Sequence, residues 1–165
     1  MKRVVWMLAV AIVGLSPAAW ARTWRVEKDG SGDYTIIQDA LDAAASGDTI
    51  RIGPGRFEDF RIYPTNGGDR AVIAKINVAT MTIIGAGSGE TIIGPVEYSW
   101  ADPEPPTRGI HLIAQPSSGG VRVEEVLIEN LVAGIYVENA GPLVVANCAI
   151  RGGLYGIDSA VSAAV

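Results

Sequence analysis

A short motif recurs three times in the last third of the chain, and it limits the possible folds more than any other feature. The copies are Gly109-Ile110-His111-Leu112, Gly134-Ile135-Tyr136-Val137 and Gly156-Ile157-Asp158-Ser159. They begin 25 and then 22 residues apart. Repeats of this length, built from short strands and turns, are typical of solenoids, in which each repeat forms one coil.

The repeat predicts that equivalent strands of successive coils pair as parallel ladders. Side chains alternate between the two faces of a strand, so the isoleucine after each glycine should point inward. Ile110, Ile135 and Ile157 would then form one internal stack. An antiparallel sandwich also has short strands and turns, but it gives no reason for one motif to recur at the spacing of a coil.

A second similarity relates VLIEN at 126–130 to LVVAN at 143–147. It predicts that Ile128 stacks on Val145. It also predicts a bend at the Asn that ends each segment, because Asn tolerates the left-handed backbone conformation that tight bends require.

The N-terminal part of the chain contains its one convincing helical pattern, from Thr35 to Ala45. Thr35 is the predicted N-cap, and Gln38 stands in the capping-box position. Such a helix would cover the N-terminal end of the solenoid, where strand edges would otherwise be open. No comparable segment closes the other end, so we expect residues 22–165 to be the N-terminal cap and first coils of a longer, truncated domain.

Residues 1–21 have the parts of a secretory signal peptide. Lys2 and Arg3 form a positive start, Val4 to Leu15 is apolar, and Ala19-Trp20-Ala21 fits the small-x-small pattern before a cleavage site. A membrane anchor is the alternative, but the apolar run is shorter than the roughly 20 residues that a spanning helix needs. The sequence therefore predicts a secreted protein, extracellular or periplasmic, with no membrane span after cleavage.

The charge and the residue counts narrow the classes of partner and site. The chain has 18 acidic and 13 basic residues, a formal net charge of −5. This argues against a nucleic-acid partner, which needs clustered Lys and Arg. An acidic polysaccharide would need a local basic site or a bridging cation. The single cysteine, Cys148, excludes an intramolecular disulfide, and the single histidine, His111, excludes a multi-histidine metal site.

Residues 24–59, WRVEKDGSGDYTIIQDALDAAASGDTIRIGPGRFED, resemble the N-terminal cap and first coil of the pectin-lyase-like superfamily. Within them, KDGSGDYTIIQDALDAA is especially similar to pectin methylesterases, and MTIIGAGSGETIIG at 81–94 resembles the next coil. The resemblance implies an all-β fold, a right-handed parallel β-helix with a short N-terminal capping α-helix. It does not extend to the methylesterase catalytic motifs. The Gly-x-Tyr-x-Glu motif is altered to GRFED at 55–59, and no Gln-Ala-Val-Ala-Leu-like or Gln-Asp-Thr-Leu-like segment is present.

The predicted ligand surface is the outward face beside the isoleucine stack. The residue after each isoleucine should point outward, which puts His111, Tyr136 and Asp158 in one row, with Glu138 on the same face. Asp158 and His111 are the candidate catalytic residues, because acids and imidazoles move protons. Tyr136 and Glu138 are candidate substrate-binding residues, through stacking on a sugar ring and hydrogen bonds to hydroxyls. The alternative is that all four are merely solvated.

Two aromatic residues in the Pro-rich segment 95–108 are further candidates for substrate binding. Tyr98 and Trp100 could clamp a carbohydrate, or they could pin this loop to the side of the solenoid.

The remaining motifs have structural interpretations. DGSGD at 29–33 alternates oxygen donors as a calcium loop does, but it lacks the other ligands of such a loop and indicates a turn. Cys148 is expected to pack in the core. Glu124, Glu125 and Glu129 are expected to form a solvated face. We therefore predict no metal site within the chain.

The leading functional prediction is that the protein binds, cleaves or modifies an acidic, uronate-type polysaccharide. The superfamily includes lyases, hydrolases, esterases, epimerases and non-catalytic surface proteins, and the fold alone does not choose among them. A lyase would need Ca²⁺ and an Arg or Lys base, and a glycosidase would need two carboxylates across a groove. Neither set is evident, and no other cofactor is. The alternative is a non-catalytic β-helix that serves as a surface protein, an adhesin or a periplasmic structural protein. The sequence does not predict an oligomeric state.

Overall fold

The computed structural model describes residues 20–65, 68–97, 106–113, 119–138 and 141–160, and these residues are mostly β. The predictions for residues 1–19 of the signal peptide, and those for Tyr98 and Trp100, lie outside the described residues. Within the described ranges the elements are β1 Thr23–Val26, α1 Ile37–Ala43, β2 Thr49–Ile52, β3 Gly55–Phe57, β4 Arg61–Tyr63, β5 Arg70–Ile76, β6 Thr80–Ile84, β7 Thr91–Ile93, β8 Thr107–Ile113, β9 Gly120–Glu124, β10 Leu127–Glu129, β11 Ala133–Glu138, β12 Leu143–Ala146, β13 Ala149–Arg151 and β14 Tyr155–Ala160.

The strands form three sheets. The first sheet has the order β1-β2-β6-β9-β12, the second β13-β10-β7-β3, and the third β14-β11-β8-β5-β4. Every named strand pair is parallel except β4 with β5. From β6 onward the chain passes through the first, second and third sheets in turn. This pairing excludes the antiparallel sandwich for the described residues.

The register of the third sheet confirms that the three predicted isoleucines form one row, but only two of them are internal. Ile135 of β11 is paired with Ile110 of β8 on one side and with Ile157 of β14 on the other. Ile110 and Ile135 are fully buried in a hydrophobic cluster that draws residues from all three sheets and from α1, whereas Ile157 is 55% exposed.

The predicted equivalence of residues 126–130 and 143–147 is wrong. Ile128 lies in the second sheet beside Ile150 and Ile93, whereas Val145 lies in the first sheet beside Val123. Ile128 therefore does not stack on Val145.

The bends predicted at the two asparagines are confirmed, but they lie at different corners. Asn147 has φ 53° and follows the first sheet, as Glu125 does with φ 56°. Asn130 has φ 60° and follows the second sheet, as Gly152 does with φ 68°.

The glycines of the first two motifs, Gly109 and Gly134, are required by a close approach between neighbouring strands. A Cβ atom at Gly109 would lie 2.6 Å from the carbonyl oxygen of Gly134 and 2.8 Å from Cγ2 of Ile128. A Cβ atom at Gly134 would lie 2.7 Å from the carbonyl oxygen of Gly156. The positions before Ile110 and Ile135 therefore face the interior as well, and only a residue without a side chain fits there.

We expect Gly109→Ala to lower the free energy of unfolding by about 1–3 kcal/mol, because the methyl group overpacks a site whose nearest neighbour is backbone. Gly89→Ala is the matched control, since a Cβ atom there would meet nothing within 4 Å. It should change stability by no more than about 0.5 kcal/mol. Urea unfolding of both variants would measure the difference, and equal values would contradict the close approach.

Helix α1 covers part of the core, but its predicted cap is wrong. Ile37, Ala40 and Leu41 are buried, as the helical pattern predicts. The N-cap is Ile36, however, and it makes no side-chain capping hydrogen bond. Gln38 is 2% exposed and bonds elsewhere, so it does not complete a capping box.

The prediction that Glu129 belongs to a solvated face is also wrong. Its carboxylate accepts hydrogen bonds from Arg56 Nη2 at 2.7 Å and from Arg151 Nε at 2.9 Å, and its side chain is 9% exposed. Burial would raise the pKa of Glu129, but the two arginines hold it below its ordinary value. Arg56 of β3 also donates to the carbonyl of Gly94, so the pair ties the residue after β7 to β3 and β10 within the second sheet.

The two other structural interpretations agree with the contacts. In the DGSGD segment, Asp29 Oδ1 accepts from the Ser31 amide at 2.9 Å, and Asp33 Oδ2 accepts from the Arg25 amide at 2.8 Å, as in a turn. Cys148 is partly buried against the hydrophobic cluster. Within the described residues, no group of three or more His, Cys, Asp or Glu side chains could hold a metal ion. No helix in this part of the chain has the length and apolar character needed to cross a membrane.

Candidate functional site

A cleft of about 250 Å³ lies on the outer side of the third sheet. Strands β4, β5, β8 and β11 supply most of its walls. The lining residues are Tyr63, Pro64, Thr65, Lys75, His111, Ile113 and Glu138.

The predicted outward row exists in the register of the third sheet, and it has a fourth member. Tyr136 is paired with His111 on one side and Asp158 on the other, and His111 is paired in turn with Lys75 of β5. Neighbouring strands lie about 4.8 Å apart, so the row is continuous. Of the row, Lys75 and His111 line the cleft, as does the predicted residue Glu138. Tyr136 and Asp158 belong to the row but are not among the lining residues.

His111 is buried, although it stands on the outward side of its strand. Its side chain is 2% exposed. The Tyr136 ring packs edge-on against it with the centroids 5.1 Å apart, and Nε2 lies 3.1 Å from Oε2 of Glu138. The interpretation of His111 as a solvated residue is therefore wrong, because side chains from the neighbouring strand cover it.

The surroundings of His111 keep the imidazole neutral. Burial, followed by the nearby Arg108 guanidinium, lowers the pKa of His111 to about 4, although Glu138 acts in the opposite direction. Arg108 Nη1 lies 3.4 Å from Nδ1 and 3.3 Å from Nε2, and an arginine is always a donor, whereas the Glu138 carboxylate can only accept from Nε2. The tautomer that satisfies both neighbours carries its proton on Nε2, which donates to Glu138, and leaves Nδ1 as the acceptor.

Tyr136 is not a free stacking platform. The Arg108 guanidinium carbon lies 3.4 Å from the centre of its ring, which is a cation–π contact. One face of the ring is thus covered, and His111 packs edge-on against the same residue.

Lys75 and Tyr63 form a second cation–aromatic pair at the cleft. Nζ of Lys75 lies 4.2 Å from the centre of the Tyr63 ring. Burial, followed by the negative charge of Asp42, raises the pKa of Tyr63, so its hydroxyl stays protonated at neutral pH. No carboxylate of the described residues forms an ion pair with Lys75.

Asp158 makes only a local contact in the described part of the chain. Its Oδ1 accepts from the amide of Ser159 at 2.8 Å. Among the predicted residues, the structure therefore brings Tyr136 and Glu138 into contact with His111 and leaves Asp158 at the far end of the row.

Sequence reasoning missed Lys75, Arg108 and Tyr63. Lys75 is the one charged residue inside the apolar run AVIAKI of β5, which is the signal that could have identified it. Arg108 stands directly before a Gly-Ile motif. Strict alternation would put it on the same inward face as Ile110, so the pattern gives no sign that it reaches the outward site. No family model, curated protein or solved structure matches the chain.

Proposed function

We propose that this protein is an exported right-handed parallel β-helix that binds an acidic, uronate-type polysaccharide on the outer side of its third sheet. The observation that carries the proposal is the Lys75 ammonium group. It lines a cleft, lies against an aromatic ring and has no carboxylate partner among the described residues.

The order in which the chain visits the sheets supports the β-helix. A strand from each sheet follows in turn from β6 to β14, and each pairs in parallel with its equivalent one circuit earlier. Crossovers between parallel strands are nearly always right-handed. The signal-peptide pattern of residues 1–21 supports export.

The Lys75 cation supports an acidic ligand at this cleft, where Glu138, the one carboxylate among the described lining residues, accepts a hydrogen bond from His111. The chain as a whole carries a formal charge of −5, so a polyanion is not attracted to its surface in general. Binding then depends on local cations. Lys75 faces the cleft, and Arg108 lies against His111, another lining residue. A uronate carboxylate that reaches Lys75 would gain a charge-assisted hydrogen bond.

The hydrogen bonds of His111 favour binding over catalysis by this residue. Nε2 is engaged with Glu138, and Nδ1 faces Arg108, so neither nitrogen is free to take a proton from a ligand. The second predicted catalytic residue, Asp158, does not line the cleft. Cleavage or modification of the glycan would require groups beyond these two.

We expect Lys75→Met to weaken binding to polygalacturonate by about 10–100-fold, the value of a hydrogen bond to a charged group. Lys28→Met is the matched control. It makes the same change of charge, but Lys28 is paired with Asp59 at 2.8 Å. Isothermal titration calorimetry at two salt concentrations would measure both affinities. Equal weakening by the two variants would show that the cleft is not the site.

A non-catalytic structural role is the second candidate, and it is favoured by the mutual contacts of His111, Tyr136, Arg108 and Glu138. These side chains satisfy one another without a ligand. Wild-type protein that binds no member of a panel of acidic and neutral glycans would support this role instead.

A further inference from the structure

The side chain of Gln38 reaches from helix α1 to the backbone of Lys75. Its Oε1 accepts a hydrogen bond from the Lys75 amide at 2.7 Å, and its Nε2 lies 3.3 Å from the Lys75 carbonyl oxygen. Nε2 also donates to Oδ1 of Asp42 at 2.7 Å, which sets the orientation of the amide. With an exposure of 2%, Gln38 has no access to solvent as an alternative partner.

Gln38 occupies a place where, among the described residues, β5 has no neighbouring strand. Strand β4 is paired with β5 only as far as Val72, which faces Arg61. Lys75 lies beyond that pairing, and it has β8 on its other side. A buried amide N–H and carbonyl at such an edge need partners. The primary amide of Gln38 supplies one acceptor and one donor, as an adjacent strand would.

Helix α1 holds the second wall of the cleft as well. Arg61 of β4 donates to Oδ2 of Asp42 at 2.7 Å and also pairs with Asp39. Tyr63, two residues further along β4, lies beneath the Lys75 ammonium group. The same helix thus contacts the backbone of Lys75 and the strand that carries Tyr63.

We propose that Gln38 is a positioning residue for Lys75. Its amide fixes the stretch of β5 from which the lysine projects, and this aims the ammonium group into the cleft beside Tyr63. The consequence for ligand binding rests on the proposed function, whereas the placement of Lys75 does not.

Lysine acetylation followed by mass spectrometry tests the placement without a ligand. In Gln38→Leu, β5 loses its partner at Lys75 and the ammonium group should leave the Tyr63 ring. We expect the acetylation rate of Lys75, relative to that of Lys28 in the same molecule, to rise at least threefold. Gln38→Glu keeps the acceptor for the Lys75 amide. The ratio of the Lys75 to the Lys28 acetylation rate, called the acetylation ratio below, should therefore rise less in this variant.

Leu41→Ala is the control for general loosening, because it removes a core contact of α1 without touching the Lys75 backbone. Its acetylation ratio should stay at the wild-type value. An unchanged ratio in Gln38→Leu, or an equal rise in Leu41→Ala, would overturn the proposal.

A double-mutant cycle separates this proposal from the proposed function. Gln38→Leu should weaken polygalacturonate binding severalfold when Lys75 is present and should have no further effect in Lys75→Met. If wild-type protein does not bind polygalacturonate but the acetylation ratio still rises, the proposed function fails and the positioning role stands. If binding depends on Lys75 but Gln38→Leu weakens it equally in both backgrounds, Gln38 does not act through Lys75.

Discussion

Replacing Ile135 by alanine is expected to lower the free energy of unfolding by about 2–5 kcal/mol, the usual range for truncating a buried isoleucine. Ile135 has no exposed surface, and it is stacked between the isoleucines of the two neighbouring strands. The strands are held by backbone pairing on both sides, so they cannot close around the lost volume. The cavity that remains adds to the lost transfer energy. Thermal or urea unfolding followed by far-UV circular dichroism would measure the loss.

Ile157→Ala is the matched control, because it makes the same change one strand further along the same row. Ile157 is 55% exposed, so roughly half of its transfer free energy is absent and no cavity forms. Its loss of stability should be about 1 kcal/mol, well below that of Ile135→Ala. Equal losses at the two positions would mean that Ile135 is not packed between two neighbours, and the stacking register of the third sheet would be wrong.

The isoleucine row could be predicted because two physical requirements coincide in one short motif. Ile110 and Ile135 must fill the interior, and the glycine before each must let the next strand approach to 2.6–2.7 Å of its Cβ position. Few residues other than Ile and Gly satisfy these demands together, so the motif is visible in the sequence. The same motif gives the correct register of β8, β11 and β14.

The predicted equivalence of residues 126–130 and 143–147 failed because two different corners both require a left-handed backbone conformation. The chain bends after the first sheet at Asn147 and after the second sheet at Asn130, and both residues are left-handed. Asn suits either bend. The residues at equivalent corners are Glu125 and Gly152, which share no side-chain chemistry with Asn. A match of Asn to Asn therefore joined two corners that are not equivalent.

The candidate site could be predicted only where simple alternation holds. His111, Tyr136 and Asp158 follow from the alternation after each isoleucine. Arg108 does not, because the glycine that follows it faces inward just as the isoleucine does, and this breaks the alternation. Lys75 was missed because β5 does not contain the Gly-Ile motif. Ala74 takes the place of the motif isoleucine, since it is paired with Ile110 of β8.

The burial of His111 depends on side-chain contacts that the sequence does not show, although it put two of the three partners on the same face. Arg108, Tyr136 and Glu138 converge on the imidazole from β8 and β11. Alternation gives the face of a strand on which a side chain lies, but not what covers it. The electrostatic state of the site therefore emerges only from the three-dimensional arrangement.

The lowered pKa of His111 makes the stability of the folded protein depend on pH. His111 has a pKa of about 4 in the folded protein, against about 6.5 when unfolded. The unfolded chain therefore binds the proton first as the pH falls, and the folded state loses stability from about pH 6.5 down to about pH 4. We expect a loss of about 2 kcal/mol between pH 7 and pH 5, and about 3 kcal/mol in total once both states are protonated. Urea unfolding at a series of pH values would measure the slope.

His111→Gln isolates this contribution, because His111 is the only histidine of the chain. Glutamine offers an amide donor to Glu138 without titrating in this range, so its stability should stay nearly flat between pH 7 and pH 5. The carboxylates of Asp29, Asp48 and Glu129 also have lowered pKa values in the folded state. Their contribution is present above the unfolded pKa values of about 4, and it is lost only as the pH falls further. The window from pH 7 to pH 5 therefore reports on the histidine alone. A wild-type curve as flat as that of His111→Gln in this window would mean that His111 is solvated, and that Arg108, Tyr136 and Glu138 do not enclose it.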